Sequence, residues 1–191
     1  VLSANLTRHG LPLSAEECTA IFTGWSMVNV EKEAKRLGAS LPEGWIEAVY
    51  AEEFAALKKG VPAMDGIHDI LDRLEATRVP FCVASNGSED KMAITLGQTG
   101  LLPRFEGAMF SAHTLKTSKP DPALFQAALA AFDVDPARAV VIEDSVLGAT
   151  GAMRAGIPCY GFAPNHDGKD LAATGAKIFR NMNELPDLLG L

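Results

Sequence analysis

Two adjacent carboxylates, Glu143 and Asp144, are the residues whose type and spacing suggest chemistry most directly. The apolar run 139–142 before them predicts a buried strand, and neighbouring negative charges at its end repel each other and resist desolvation. A divalent cation relieves this repulsion, and Mg²⁺ takes oxygen ligands, usually including one or two carboxylates. The alternative is that Asp144 only caps the helix predicted at 146–155. We expect Asp144 and Glu143 to hold Mg²⁺.

Two other polar groups follow predicted elements in the same way. Ser85 and Asn86 come directly after the apolar run 79–84, where a hydroxyl, an amide and a helix start can bind an anion. Lys119 precedes Pro120, which keeps the lysine extended, and a lysine there can neutralise a phosphate as a point charge. Each group alone also fits an ordinary turn. Together with the acidic pair they predict a pocket for one phosphoryl group.

Alternating strand and helix patterns after Pro62 predict the architecture that brings these residues together. Short apolar runs alternate with helical periodicity, which indicates an α/β fold with a Rossmann-like parallel sheet. Ligands bind beyond the carboxyl ends of the strands in such sheets. The preceding region carries only helical periodicity. We therefore predict a small all-helical domain at 1–60 and an α/β core at 61–191. The strands are expected at 79–84, 107–111, 139–142 and 158–162.

Composition limits the classes of partner. The chain has 191 residues and a net charge of −7, without a block of lysine or arginine, which argues against nucleic acid or an anionic membrane as a partner. No apolar run reaches the roughly 18 residues needed to span a bilayer. Three widely separated cysteines without a CxxC motif suggest a reducing, cytoplasmic location. Nothing in the pattern predicts an oligomeric state.

Three motifs, in this order, resemble those of the haloacid dehalogenase-like hydrolase superfamily, in its helical-cap branch: VASNGS, SKPDP and VIEDSVLGATGAMRAG. The resemblance implies a Mg²⁺-dependent phosphatase acting on a small phosphorylated metabolite, such as a sugar phosphate. It implies that Ser85 and Lys119 are catalytic, that both bind phosphate together with Asn86, and that Asp144 ligates Mg²⁺ with Glu143 beside it, directly or through water.

The helical region is similar to the family's cap domain. By this resemblance FTGWS at 22–26 is the cap loop, so that Gly24, Trp25 and Ser26 contact the substrate. Trp25 fits stacking on a sugar and fits a core position of the cap equally well.

The family's first motif, DxDGT, is not found in this sequence. Its first aspartate is the nucleophile that forms an aspartyl-phosphate, and its second is the general acid and base. Asp65 and Asp69 fall in a predicted helix and do not replace it. The family's first strand lies between the strands that end at Ser85 and Asp144, so we expect the sequence to be N-terminally incomplete and its core to lack that strand.

Four other interpretations of the sequence remain open beside the phosphatase. A β-phosphoglucomutase-like sugar-phosphate mutase has the same cap, although Met27 stands where that group carries arginine after the cap loop. Because the sequence lacks the nucleophile motif, a second alternative is a fragment that binds phosphate without catalysis. A metal-independent dehalogenase does not need the acidic pair. A phosphorelay receiver domain carries its acidic pair before the lysine, whereas here Lys119 precedes Glu143.

Overall fold

Four α-helices form the first of two units, Val1–Val61, in the computed structural model, which describes residues 1–191. Ser14 begins the second helix with a capping box, in which Ser14 and Glu17 each bind the other's backbone N–H. The Ser26 hydroxyl caps the third helix. Helical periodicity buries one face of each helix in a shared core that includes Leu6, Val30 and Trp45. The helices are α1 Leu2–Arg8, α2 Ala15–Phe22, α3 Met27–Arg36 and α4 Trp45–Leu57.

A polar network, buried at Asn5 and exposed at Arg8, links α1 to α4 inside this unit. The Asn5 side chain is 2% exposed and accepts a 2.7 Å hydrogen bond from Trp45 Nε1. Asn5 also donates to Glu52 at 3.2 Å, and Arg8 donates to both Glu52 oxygens at 2.5 and 2.7 Å. The network satisfies the polar atoms that the helices bring into the core.

Parallel strands and covering helices form the second unit, Pro62–Leu191. The division falls one residue from the boundary expected at 60/61. Short 3-10 helices at 102–105, 136–138 and 182–184 connect some of its elements. The elements are α5 Ile67–Ala76, β1 Val83–Ser85, α6 Glu89–Gln98, β2 Met109–Ser111, α7 Ala123–Phe132, β3 Val141–Glu143, α8 Val146–Arg154, β4 Cys159–Phe162, α9 Lys169–Ala173, β5 Lys177–Phe179 and α10 Leu185–Leu189.

Every strand pair in this unit is parallel, as the alternation of strand and helix predicts. The strands do not form one continuous sheet: β1 pairs with β2, and β3, β4 and β5 form a second sheet in that order. Ser85 at the end of β1 stands opposite Ser111, and Glu143 at the end of β3 stands opposite Gly161. The carboxyl ends of β1 and β3 therefore carry the predicted site residues.

The strands are shorter than the apolar runs that predicted them, because hydrogen-bonded partners rather than side chains set their bounds. Pairing begins only at Val83 in the run 79–84 and extends past the run 139–142 to Glu143. Two elements, α9 and β5, were not predicted, since neither has a clear period. Pro122 occupies the cap position of α7, and the carboxylate of the preceding Asp121 accepts the Ala123 N–H at 2.8 Å. No helix of the structure combines the length and apolar character needed to cross a bilayer.

Candidate active site

Ser85 and Asn86 lie at the turn that follows β1. The Ser85 hydroxyl oxygen accepts the Gly87 N–H at 3.0 Å, which leaves the hydroxyl proton available to another acceptor. Ser111, at the end of the paired strand, donates its hydroxyl to the Gly87 carbonyl at 2.7 Å and supports the same turn. Ser88 then begins α6 by accepting the Lys91 N–H, so helix and strand hold the turn between them.

Asn86 is directed toward the segment that carries the lysine. Its side-chain oxygen accepts the Lys119 backbone N–H at 2.9 Å. Arg154 of α8 donates to the Pro120 carbonyl at 3.1 Å from the other side. The structure therefore brings together two segments 33 residues apart in the sequence. Asn86 positions the lysine here, and the predicted contact between Asn86 and phosphate stays a prediction.

Lys119 and Glu143 form a buried ion pair. Their side chains are 11% and 8% exposed, and Lys119 Nζ donates to Glu143 Oε1. The ammonium also lies 5.4 Å from the centre of the Phe125 ring, within reach of a cation–π interaction. Because a buried charge is costly without a partner, the two opposite charges stabilise each other at the sheet edge.

The Glu143 carboxylate is bound on its other side by the start of α8. Its Oε2 accepts the Ser145 N–H at 3.1 Å and the Ser145 hydroxyl at 2.8 Å. The positive end of the helix macrodipole adds to this stabilisation. Gly148 makes room for the carboxylate, because a Cβ at that position would lie 2.0 Å from the Glu143 carboxyl carbon.

Asp144 differs from its neighbour in exposure and in partners. Asp144 is exposed, and its carboxylate makes no hydrogen bond or ion pair within the chain. Ser145, rather than Asp144, is the N-cap of α8 and accepts the Gly148 N–H at 3.0 Å. The alternative that Asp144 serves as the helix cap is therefore wrong, and its carboxylate is available to a cation.

The chain offers few side-chain ligands for a magnesium ion at this site. Nowhere in residues 1–191 do three or more acidic, histidine or cysteine side chains converge. One exposed carboxylate, Asp144, fits an ion that completes its shell with water and phosphate oxygens. Glu143 departs from the expected arrangement, because both its oxygens are already engaged by Lys119 and Ser145. A role of Asp144 as a direct magnesium ligand, with Glu143 beside it, stays a prediction.

Cys159 on β4 lies close to this charged cluster. Burial, together with the negative charge of Glu143, raises the pKa of its thiol to about 11. The thiol is therefore neutral at physiological pH and is not a nucleophile for the site.

The segment Gly24–Ser26 belongs to the helical unit. Gly24 has a φ of +81°, which turns the chain between α2 and α3. Trp25 is 40% exposed and packs edge-on against Phe22 at 5.9 Å between ring centres, so it is not a fully buried core residue. Ser26 caps α3. A role of these three residues as substrate contacts stays a prediction.

Three supporting residues were not identified from the sequence: Ser111, Phe125 and Gly148. Ser111 lies in a segment that was predicted only to be a strand, and Phe125 lies in one that was predicted only to be a helix. Gly148 could have been identified, because a glycine in the first turn of a helix lowers the stability of the helix and is expected only where a close neighbour needs the space. Gly148 follows Asp144, the second residue of the acidic pair, by four residues, which is about one helical turn.

Comparison with known proteins identifies the family. Residues 11–162 match the family of haloacid dehalogenase-like hydrolases, and the chain belongs to this family. The chain is 29% identical over 181 residues to the 6-phosphogluconate phosphatase of Escherichia coli K12, covering 94% of this chain and 80% of that protein.

Two further relatives extend the comparison. The chain is 32% identical over 170 residues to the validoxylamine A 7'-phosphate phosphatase of Streptomyces hygroscopicus subsp. limoneus, covering 86% of this chain and 77% of that protein. A crystal structure of a HAD family hydrolase from Deinococcus radiodurans R1, with bound phosphate and sodium, superposes with a TM-score of 0.78 at 27% identity, covering 99% and 86% of the two chains.

Proposed function

We propose that the protein is a Mg²⁺-dependent phosphatase acting on a small phosphorylated metabolite, specifically a sugar phosphate. The observation that carries the proposal is the buried Lys119–Glu143 ion pair at the carboxyl end of β3, which the Asn86–Lys119 hydrogen bond joins to the turn that carries Ser85. The exposed Asp144 carboxylate directly follows Glu143 in the sequence. The names of the two phosphatase relatives and the phosphate in the related crystal structure support the proposed phosphatase activity.

Each residue has a role set by its surroundings. The Ser85 proton is free to bond a phosphoryl oxygen, because the Ser85 oxygen is held by Gly87. Lys119 keeps N–H groups beyond the one given to Glu143 and binds a second phosphoryl oxygen. Asp144 would hold magnesium, which neutralises phosphoryl charge when bound. Donors fixed before the substrate arrives are the main requirement for phosphoryl transfer.

The attacking group is an aspartate that forms an aspartyl-phosphate, as the family resemblance implies. We place this aspartate outside residues 1–191. Asp65 precedes α5 and Asp69 lies in its first turn, so neither follows a strand as the family's nucleophile does. The proposal therefore concerns the complete gene product, and the 191-residue chain is expected to bind phosphate without turning it over.

The test is hydrolysis of p-nitrophenyl phosphate and of a sugar-phosphate panel by the complete gene product. We expect Mg²⁺-dependent release of inorganic phosphate, and we expect Asp144→Asn to lower kcat/KM at least a hundredfold. Asp170→Asn is the matched control, since Asp170 is an exposed aspartate on α9, and it should retain full activity.

Two outcomes would contradict the phosphatase proposal and favour another function that the sequence left open. Conversion of a sugar phosphate into its positional isomer, with little free phosphate, would indicate a mutase. Phosphate binding without turnover by the complete product would indicate a non-catalytic binding protein.

A further inference from the structure

Residues 163–168 form the β4–α9 loop, which follows β4 at the same sheet edge as the charged cluster. Glu143 of β3 stands opposite Gly161 of β4 in a parallel pair, so Ala163 comes one residue past the level of Asp144. Neighbouring strands lie about 4.8 Å apart and rise about 3.3 Å per residue, which brings Ala163 to about 6 Å from Asp144. The loop therefore begins next to the carboxylate that is expected to hold magnesium.

Arg180, the first residue after β5, holds the β4–α9 loop from the neighbouring strand. Its guanidinium donates to the Ala163 carbonyl at 2.9 Å, to the Asp167 carbonyl at 3.0 Å and to the His166 carbonyl. The Ala163 N–H also donates to the Phe179 carbonyl at 2.9 Å. Because the three acceptors are neutral backbone groups, the guanidinium fixes the path of the loop and does not balance a charge.

The far end of the loop is held as firmly. Gly168 is buried with a φ of +73°, and a Cβ there would lie 2.9 Å from Ile178 Cγ2, so only glycine fits. Its N–H donates to His166 Nδ1 at 3.2 Å. The Asp167 carboxylate accepts the Lys169 N–H at 3.1 Å and pairs with the Lys169 ammonium at 2.7 Å. Both ends of the loop are thus fixed, while its middle is exposed.

Two exposed polar side chains, Asn165 and His166, stand in the middle of this loop. The Asn165 side chain makes no hydrogen bond within the chain, so its carbonyl oxygen and its N–H groups are available. Because His166 Nδ1 accepts a hydrogen bond, Nε2 carries the ring proton and is a donor. The charge of Asp167 is already paired with Lys169. The loop therefore presents neutral donors and acceptors, which match hydroxyl groups better than a second phosphate.

We propose that the β4–α9 loop binds the part of the substrate beyond its phosphoryl group. Asn165 and His166 hydrogen-bond to hydroxyl groups of that part, and Arg180 is the positioning residue that holds the loop. The substrate class that fits is a phosphate ester of a polyhydroxylated compound. The inference rests on the proposed function, since it takes the phosphoryl group to lie beside Lys119 and Asp144. A loop that is fixed before the substrate arrives loses little freedom on binding.

The test compares two phosphate esters with the complete gene product. One is the sugar phosphate with the highest kcat/KM, and the other is cyclohexylmethyl phosphate, whose six-membered ring carries no hydroxyl group. We expect Asn165→Ala and His166→Ala each to raise KM for the sugar phosphate about tenfold, because a hydrogen bond is lost. The constants for cyclohexylmethyl phosphate should stay within twofold. Unchanged constants for the sugar phosphate, or equal losses with both esters, would overturn the proposal.

Arg180→Met tests the positioning role, because it removes the donors and keeps a long side chain. KM for the sugar phosphate should rise about tenfold, amide exchange at Gly168 should speed at least tenfold, and exchange in the core of β4 should stay unchanged. Arg73→Met is the matched control, since Arg73 is an exposed arginine in the last turn of α5, and it should change none of these. Faster exchange at Gly168 with an unchanged KM would overturn the positioning role.

Binding measurements separate this inference from the proposed function. If the parent hydrolyses neither ester, the phosphatase proposal fails, and calorimetry with the sugar-phosphate panel still decides the role of the loop. The tightest sugar phosphate should bind at least tenfold more tightly than cyclohexylmethyl phosphate, and Asn165→Ala should reduce that ratio about tenfold. Equal affinities of the parent for both esters, or a ratio unchanged in Asn165→Ala, would overturn the inference.

Discussion

At the scale of single residues, Gly148 sets the geometry of the charged cluster. Its missing Cβ is the space that the Glu143 carboxylate occupies, at 2.0 to 2.2 Å from where a Cβ would lie. The carboxylate can then reach Lys119 and Ser145 at once. A small residue at this helix position is therefore required by the ion pair and not by backbone conformation, since Gly148 has no positive φ.

We predict that Gly148→Ala destabilises the protein. The methyl group forces the Glu143 carboxylate away from Lys119, at a cost of about 1–3 kcal/mol in the free energy of unfolding. Urea denaturation measures this change. Gly97→Ala is the control, because Gly97 also lies in a helix but its added Cβ comes no nearer than 3.9 Å to a neighbour. The control should be neutral or more stable by up to about 1 kcal/mol, and an equal loss in both variants would contradict the explanation.

Cys159 allows a second prediction at this scale. Burial and Glu143 raise the pKa of its thiol from 9.0 to about 11. At pH 8 the thiolate fraction is then about a hundredfold lower than for a thiol with the usual pKa, and alkylation slows in proportion. Peptide mass spectrometry after timed iodoacetamide treatment measures the rate for Cys159. Reaction as fast as in 8 M urea would contradict the prediction.

The sequence predicted which residues of the candidate site follow the strands, but it did not predict their contacts. The loops after two apolar runs and the Lys-Pro pair pointed to Ser85, Asn86 and Lys119, which the structure links through the Asn86–Lys119 hydrogen bond. The sequence could not tell which carboxylate turns inward, because that depends on the strand's pleat. Glu143 faces Lys119, whereas Asp144 is exposed.

At the scale of elements, helix starts were the most predictable features. Ser14 and Glu17 carry their capping signal within four residues, so no tertiary partner is needed to recognise it. Strand bounds were less predictable, because each strand exists only where a partner pairs with it. The run 79–84 is apolar throughout, yet only its last two residues and Ser85 form β1.

We predict that Ser14→Ala lowers the stability of the helical unit by about 1 kcal/mol, because the Glu17 backbone N–H loses its acceptor. Urea denaturation followed by tryptophan fluorescence reports the change. Ser40→Ala is the control, since Ser40 is exposed and uses only its backbone in a hydrogen bond to His9. A loss of similar size in the control would contradict the capping role.

The other half of this capping box predicts a pH dependence. The hydrogen bonds from the backbone N–H and the hydroxyl of Ser14 lower the pKa of Glu17 below its usual value of 4.5. A lowered pKa means that the charged carboxylate stabilises the fold above the unfolded-state pKa, and that this contribution is lost as pH falls through the folded-state value. Glu17→Gln should therefore be less stable than the parent at pH 7, and the difference should shrink below about pH 4. A constant difference from pH 7 to pH 3 would contradict this.

At the scale of the whole molecule, the two units have separate hydrophobic cores. Leu6 is fully buried in the core of the helical unit, and Leu124 is fully buried in the α/β unit. Both tryptophans, Trp25 and Trp45, belong to the helical unit. Tryptophan fluorescence therefore reports on one unit, while hydrogen exchange in α8 and β4 reports on the other.

We predict that the units lose stability separately. Leu6→Ala should lower the fluorescence-detected free energy of unfolding by about 2–5 kcal/mol, because it leaves a cavity in the helical core. Exchange in α8 and β4 should stay unchanged. Leu124→Ala should speed exchange in α8 and β4 and leave the fluorescence-detected free energy of unfolding unchanged. If both variants move both probes by the same amount, the units unfold as one.

The network of Asn5, Trp45, Glu52 and Arg8 limits how this sequence can diverge. A change at Asn5 alone leaves the buried indole N–H without an acceptor, and a change at Glu52 alone removes the acceptor of the Asn5 amide. The Arg8 side chain is 54% exposed, so water can replace its partner. A single substitution at Asn5 is therefore harmful, while a joint replacement of Asn5 and Trp45 by apolar residues of similar volume can be neutral. Divergent relatives should keep Asn5 and Trp45 together or lose them together, and substitutions made one at a time will understate how well the pair tolerates change.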